Sequence, residues 1–250
     1  MMIVQIYEIQ NRDDARMMID LGVDHIGSVL MSADNWRDAQ LKQTVDAIQR
    51  AGRKSSLIPL FQDVDLVCRA IDYYGPDIIH FCETLPVNAG QTEALMRIVE
   101  RQRAIRRAFP KVAIMRSIPI AVSGWADIQQ TLSLATVFEP VSDWFLTDTL
   151  LVSDADACDD AQPVNGFVGI TGRTCDWSVA RELVRHSRIP MILAGGIGPS
   201  NVRAAIEAVG PAGVDSCTLT NAVDPTGKSI RFKKDKEKVK AMIDLARGCH

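Results

Sequence analysis

The sequence has no apolar run near the roughly 20 residues that a bilayer-spanning helix requires. Its start, Met1-Met-Ile-Val-Gln5, is short and lacks the basic flank of a secretory signal. Neither membrane insertion nor export is therefore expected. The six cysteines (68, 82, 158, 175, 217 and 249) form no CxxC pair, which fits thiols in a reducing cytoplasm better than disulfides or zinc. The four histidines show no HxH or HExxH spacing, so neither a metal site nor a cofactor is expected. Aromatics make up only 6% of the chain and no basic stripe interleaves with them at a net charge of -3, which argues against a nucleic-acid partner. One locally basic stretch, 231–238, is interrupted by carboxylates and reads as a solvated helix start. Asp154, Asp156, Asp159 and Asp160 lack the closing Glu of a calcium loop and read as solvated.

What the chain does have is a repeated alternation of short apolar runs and helical periods. Its 250 residues, 47% hydrophobic and 24% charged, suffice for one large core. Strands are expected at 3–7, 23–30, 56–60, 77–81, 112–118, 143–147 and 191–194, with an eighth from Gly213. Between them, apolar residues recur at helical spacing, as in Ala15, Met18 and Leu21, or Leu41, Val45 and Ile48. Asn11 and Asp176 stand where helices should be capped, and Gly22, Gly52 and Gly75 where they should stop. Residues 150–174 follow no helical period and read as a long surface loop after strand six, of the kind that often covers an active site. No Pro/Ser/Gly-rich linker divides the chain. Eight strand–helix units predict a single (β/α)8 TIM barrel over residues 1–250, with an open doubly wound sheet as the structural alternative.

The centre of the pattern is Pro190-Met-Ile-Leu-Ala-Gly-Gly-Ile-Gly-Pro-Ser-Asn201: a buried strand, a glycine turn and a helix start. Gly195 and Gly196 carry no Cβ, so a ligand can approach the backbone. Ser200 is a plausible N-cap, and free amides at such a turn suit a phosphate. A tight β-to-α turn with no ligand has the same sequence signature.

Three stretches together resemble the phosphoribosylanthranilate isomerase family, barrel enzymes of tryptophan synthesis. Ile9-Gln-Asn-Arg-Asp-Asp-Ala15 with Leu21-Gly-Val-Asp-His-Ile-Gly27 looks like that family's opening helix and second strand. Gly169-Ile-Thr-Gly-Arg-Thr-Cys-Asp-Trp177 is similar to its Gly-Gly-Thr-Gly-Lys-Thr-Phe-Asp-Trp segment. Leu193-Ala-Gly-Gly-Ile-Gly-Pro-Ser-Asn-Val202 matches its phosphate turn. The resemblance implies an Amadori rearrangement, in which an acid opens a furanose ring and a base takes a proton from the adjacent carbon. It makes Asp148, at the end of strand six, the acid, although a capping or salt-bridge role would suit the same position.

The family's base is a cysteine in Lys-Ile-Cys-Gly, but this chain reads Gln5-Ile-Tyr-Glu8. Tyr7, with an ordinary pKa of about 10, is a reluctant base, whereas a buried Glu8 is a better one. On the same rim, His80 could do acid–base work or be structural, and Glu83 could be a second carboxylate or a solvated one. Arg116 could hold an anion or pair with Asp148 or Glu83. Arg37 lies one place from the arginine that binds the aromatic carboxylate in the family. The resemblance assigns the phosphate to Gly172, Gly195, Gly196 and Thr218, the last standing where the family has small residues.

The replacements are ionisable rather than inert. They therefore point first to related acid–base chemistry on a different small phosphorylated sugar or heterocycle. The ordinary isomerase with an unusual base, and a non-catalytic barrel that binds a phosphate compound, are the two alternatives. The oligomeric state is left open.

Overall fold

A computed structural model of the chain describes residues 1–86, 92–151 and 164–248. Eight parallel strands close into a barrel in sequence order. They are β1 (Ile3–Ile6), β2 (His25–Leu30), β3 (Lys54–Pro59), β4 (Ile78–Phe81), β5 (Ala113–Ala121), β6 (Trp144–Leu150), β7 (Met191–Leu193) and β8 (Gly213–Ser216). Closure is made where β1 pairs with β8, Ile3 opposite Gly213 and Ile6 opposite Ser216. The helices α1 (Arg12–Leu21), α2 (Ala39–Arg50), α3 (Val64–Tyr74), α4 (Thr92–Ala108), α5 (Ile128–Phe138), α6 (Trp177–His186), α7 (Val202–Val209) and α8 (Lys236–Arg247) follow the strands in turn. This is the expected (β/α)8 barrel.

Local chemistry sets the helix starts. Asn11, Asp38, Asp63, Asp127, Asp176 and Asp235 each accept backbone N–H bonds from the first turn of the helix they precede. Each such cap stabilises a helix by about 1 kcal/mol. For α7 the expectation is corrected. Its N-cap is Asn201, not Ser200, and Asn201 instead ties down the glycine turn by accepting from the Gly198 amide (2.9 Å) and donating to the Gly196 carbonyl (2.8 Å).

Alternation along the strands divides the buried residues into two layers. Val4, Ile6, Phe145 and Val214 face the helices, within a cluster that includes Leu183 and Met242. Tyr7, Ile78, Met115, Leu146 and Ile192 fill the barrel interior. The interior also holds polar layers. Gln5 donates to Asp215 Oδ1 (3.1 Å) and meets His25 Nδ1 (3.1 Å), and one layer up Tyr7, Ser56, His80 and Ser117 form a hydrogen-bonded chain.

One segment departs from the sequence reading. Of residues 231–238, only the end is a helix start, with Asp235 as the N-cap; 231–234 are strand. An antiparallel hairpin, β9 (Asn221–Val223) and β10 (Ser229–Lys234), is inserted after β8, and α8 begins only at Lys236. Lys234 anchors the hairpin's base by donating to the Cys217 carbonyl (2.8 Å) and Asn221 Oδ1 (2.6 Å). Of the predicted loop 150–174, residues 152–163 lie outside the described residues, and with them the acidic cluster and Cys158; Cys249 does too. Among the described residues, no helix is long and apolar enough to cross a membrane.

Candidate active site

A cavity of about 780 Å³, its open mouth included, lies over the C-terminal ends of the strands. That is the end of the barrel at which small-molecule sites are built. Its walls bring together residues far apart in sequence: Tyr7 and Glu8 after β1, Asp148 on β6, Gly169 to Gly172, Gly195 and Gly196 after β7, and Asp215, Cys217 and Thr218 from β8.

Asp148 points inward because it shares the parity of Leu146, an interior residue. Burial pushes its carboxyl up to about 7, against the hydrogen bond it accepts from the Thr149 amide (2.9 Å). It is therefore poised to carry a proton near neutrality. Gly169 lies directly over it, and a Cβ there would overlap the Asp148 carboxylate. Neighbouring threonines stitch the site's backbone together. Thr147 Oγ1 donates to the Ala194 carbonyl (3.1 Å) and Thr149 Oγ1 to the Arg173 carbonyl (2.6 Å), which holds the 169–174 segment against the glycine turn. Gly196 packs so closely on the Arg173–Thr174 backbone that no side chain fits, and its φ is +57°.

Glu8 reaches the cavity by a different route. In an extended strand it would point away from the face Tyr7 occupies. Its backbone instead turns into the left-handed region, φ +66°, so both residues line the cavity. Glu8 is 1% exposed. Its Oε1 accepts from Arg231 Nε at 2.5 Å, while Oε2 has no hydrogen-bond partner among the described residues. Cys217 is its half-buried neighbour; burial, against the Lys234 charge, holds that thiol protonated, and the charges of Glu8 and Asp215 and a hydrogen bond to Glu8 add to it. Ile170 also adopts a positive φ, +61°. For a β-branched residue this is a strained conformation, of the kind found at ligand sites.

Other candidates fall elsewhere or in other roles. Tyr7 lines the cavity, but its hydroxyl is shared with Ser56 Oγ (2.5 Å) and His80 Nδ1 (2.8 Å), and burial raises its pKa well above the ordinary value, which makes it a poorer base still. His80 is limited likewise. Burial, helped by the Arg116 charge, lowers it to about 3, so it stays neutral between Tyr7 and Ser117 Oγ (2.9 Å) and carries no proton near pH 7.

Glu83 and Arg116 do not line this cavity. Both point outward into the helical layer, where Arg116 Nη1 donates to Glu83 Oε2 (2.6 Å) and its Nε and Nη2 to Gln102 Oε1 (2.9 and 2.7 Å). Arg37 is also outside, its guanidinium 4.6 Å from the Tyr73 ring centre on α3. The phosphate candidates Gly172, Gly195, Gly196 and Thr218 do share the cavity with Asp148 and Glu8.

Sequence reasoning passed over Asp215, Cys217, Cys82 and Arg231. The first three face inward at the ends of β8 and β4, and burial lifts Asp215 to about 7. Their signal was strand parity counted back from Asp148-like positions. Arg231 gave none, since it meets Glu8 from 223 residues away.

The comparisons with known proteins agree with this geometry. The family model described as PRAI, N-(5'phosphoribosyl)anthranilate (PRA) isomerase, matches residues 111–244, more than half of the chain. Over 216 residues the chain is 27% identical to N-(5'-phosphoribosyl)anthranilate isomerase 2 of Methanosarcina mazei, spanning 85% of this chain and 83% of the relative. It is 28% identical over 248 residues to the N-(5'-phosphoribosyl)anthranilate isomerase of Natronomonas pharaonis, 98% of each chain. The crystal structure of phosphoribosyl anthranilate isomerase from Thermotoga maritima superposes with a TM-score of 0.69 at 20% identity, over 99% of this chain and 100% of that one, a likeness of fold. With a strand-end acid, a glycine turn and a matching family model on one barrel, the chain belongs to the N-(5'-phosphoribosyl)anthranilate isomerase family.

Proposed function

We propose that the protein is a working phosphoribosylanthranilate isomerase in which Glu8 replaces the family's thiol. The relatives that align along most of the chain carry the name of that isomerase, and none of them supports the different substrate that the altered rim first suggested. One observation carries the reading. A proton-bearing carboxyl, Asp148, and a carboxylate with a free buried oxygen, Glu8, line one cavity with a glycine turn suited to phosphate.

The chemistry follows from their places in the cavity. The amides of Gly195 and Gly196, with Gly172 and Thr218, hold the substrate's phosphate. Asp148 gives its proton to the furanose ring oxygen as the bond from that oxygen to C1 breaks. The anthranilate nitrogen's lone pair then closes a C=N bond. Glu8 Oε2 takes the C2 proton, the electrons of that C–H bond form C1=C2 of an enolamine, and the C=N electrons return to nitrogen. Tautomerisation delivers the ketone. Each proton transfer by a positioned group contributes roughly 10²- to 10⁴-fold in rate.

The test is turnover of N-(5'-phosphoribosyl)anthranilate by the purified protein, followed by loss of the substrate's fluorescence. Wild type is expected to turn over. Asp148→Asn should lower kcat by roughly 10²- to 10⁴-fold. A folded wild-type preparation that binds phosphorylated ligands and leaves this substrate unchanged would overturn the reading in favour of a binding barrel.

A further inference from the structure

The β9–β10 hairpin has so far been only an insertion. Its contact with the site is Arg231, which reaches from the hairpin after β8 to Glu8 Oε1 at the end of the neighbouring strand β1. Three features build that reach. First, β10 is irregular: its register against β9 shifts between Ser229 and Lys234, and Phe232 sits at φ +62°. Such bulges re-aim side chains next to active sites. Second, the guanidinium lies 4.7 Å from the centre of the Phe232 ring, and its Nη2 is 3.8 Å from Met31 Sδ at the end of β2, so it is supported on both sides. Third, the hairpin's base is pinned by Lys234 and by Lys238, which donates to the Asn221 carbonyl at 2.8 Å.

Glu8 needs such a partner. Its backbone stands in a left-handed conformation that favours glycine, and its carboxylate could rotate about the side chain. With Oε1 held at 2.5 Å by Arg231 Nε, the other oxygen is fixed, buried and without a hydrogen-bond partner among the described residues, in a residue that lines the cavity. We propose that Arg231 is a positioning residue: the hairpin exists at this site to hold one oxygen of Glu8 so that Oε2 faces the carbon from which the proton is taken. The inference rests on the reading of Glu8 as the base.

The experiment compares Glu8→Gln, Arg231→Met, Arg231→Lys and the double variant in steady-state turnover of N-(5'-phosphoribosyl)anthranilate, with thermal unfolding of each as a check on folding. Glu8→Gln should lose roughly 10²- to 10⁴-fold in kcat. Arg231→Met should lose on the order of 10²-fold in kcat, the effect of a misplaced reacting group, with KM nearly unchanged. Arg231→Lys should restore part of that loss, and the double variant should be no slower than Glu8→Gln alone, because a base that is absent has no orientation to lose.

If Glu8→Gln keeps wild-type turnover, the base reading fails and this inference with it. If Glu8→Gln is slow but Arg231→Met is not, the base stands and the inference alone falls. An Arg231→Met variant whose KM rises while kcat holds would also overturn it, since the guanidinium would then be gripping substrate rather than aiming the base. Losses that multiply in the double variant would do the same.

Discussion

Two groups of buried charges lie near the same end of this barrel, and they are treated in opposite ways. Around Arg116 everything is paired. Its guanidinium, 1% exposed, meets Glu83, 4% exposed, through two bonds of 2.6 and 3.2 Å. Gln102 accepts from its Nε and Nη2, the Phe138 ring lies 4.7 Å away, and Arg101 adds a second cation to Glu83 at 2.6 Å. Around Asp148 the pairing is deliberately incomplete. Among the described residues, its carboxyl accepts one backbone bond, Glu8 keeps an oxygen unbonded, and Asp215 is held by Gln5 alone among polar side chains. A burial cost that is met by partners gives rigidity. One left partly unmet leaves groups whose protons can move.

The sharpest way to break the comparison is to unpair the first cluster. Glu83→Gln leaves the Arg116 charge buried without its counter-ion, and such losses cost about 3–5 kcal/mol. Chemical denaturation should show a fall of that size, with kcat of the folded variant nearly intact because neither residue lines the cavity. A drop in kcat as large as that of Asp148→Asn would mean the two clusters work as one.

A somewhat smaller effect separates the clusters by pH. Burial raises Asp148 from its ordinary 3.8 to about 7. Between those values the native state keeps a proton that the unfolded chain has released, so stability falls as pH rises from about 4 to about 7 and stays lowered above. The full cost is about 4 kcal/mol at most. Glu83 has the opposite sign. Burial opposes its charge, but Arg116 outweighs burial and holds the carboxyl below its ordinary range. Its contribution is present above the unfolded value of 4.5 and is lost as pH falls through the lower, folded one. Asp148→Asn should thus stabilise the protein at pH 8 and leave it unchanged at pH 4, whereas Glu83→Gln should flatten the acid side. Urea midpoints measured from pH 8 down to about pH 2, below the unfolded value of 4.5 for Glu83, check both signs for the two variants, and parallel curves would erase the distinction.

How much of this was legible in the sequence differs between the frame and the charges. The alternating periods, with Asn11 and Asp176 at helix starts and Gly22 and Gly75 at helix ends, gave the barrel. Parity was harder. Every residue of β5 from Ile114 to Ala121 is buried, because a parallel strand is covered on both faces. No polar alternation therefore marks Ser117 as inward and Arg116 as outward. Glu8 was placed on the rim, but its entry to the cavity depends on a left-handed backbone that a glutamate does not announce. The hairpin was hidden for a related reason: β10 is mostly half-exposed, its Ser-Ile-Arg-Phe-Lys-Lys run has no clean two-residue period, and its lysines resemble a solvated helix. Asp148 could be singled out because it stands near the C-terminal end of a strand, where barrel chemistry gathers.

The smallest expected effect concerns Arg37, which belongs to neither cluster. Both of its neighbours are tied to α3: Tyr74 Oη donates to the Trp36 carbonyl (2.7 Å) and accepts from the Asp38 amide (2.9 Å). Asp38 in turn caps α2, accepting from the Gln40 amide at 2.7 Å. Held from both sides, Arg37 can lay its guanidinium on Tyr73 but cannot enter the cavity without releasing Tyr74. Arg37→Ala should therefore cost no more than about 1 kcal/mol of stability, the worth of an exposed cation–π contact. KM for the isomerase substrate should stay within about twofold, as for a surface change away from the site. A tenfold rise in KM, about 1.4 kcal/mol of binding, would show that substrate pulls this loop off α3, and Tyr74→Phe, which frees the loop, should then lower KM. With Arg37 on Tyr73, the cation that meets a cavity carboxylate is Arg231, and charge at the mouth comes from β10 rather than from the loop after β2.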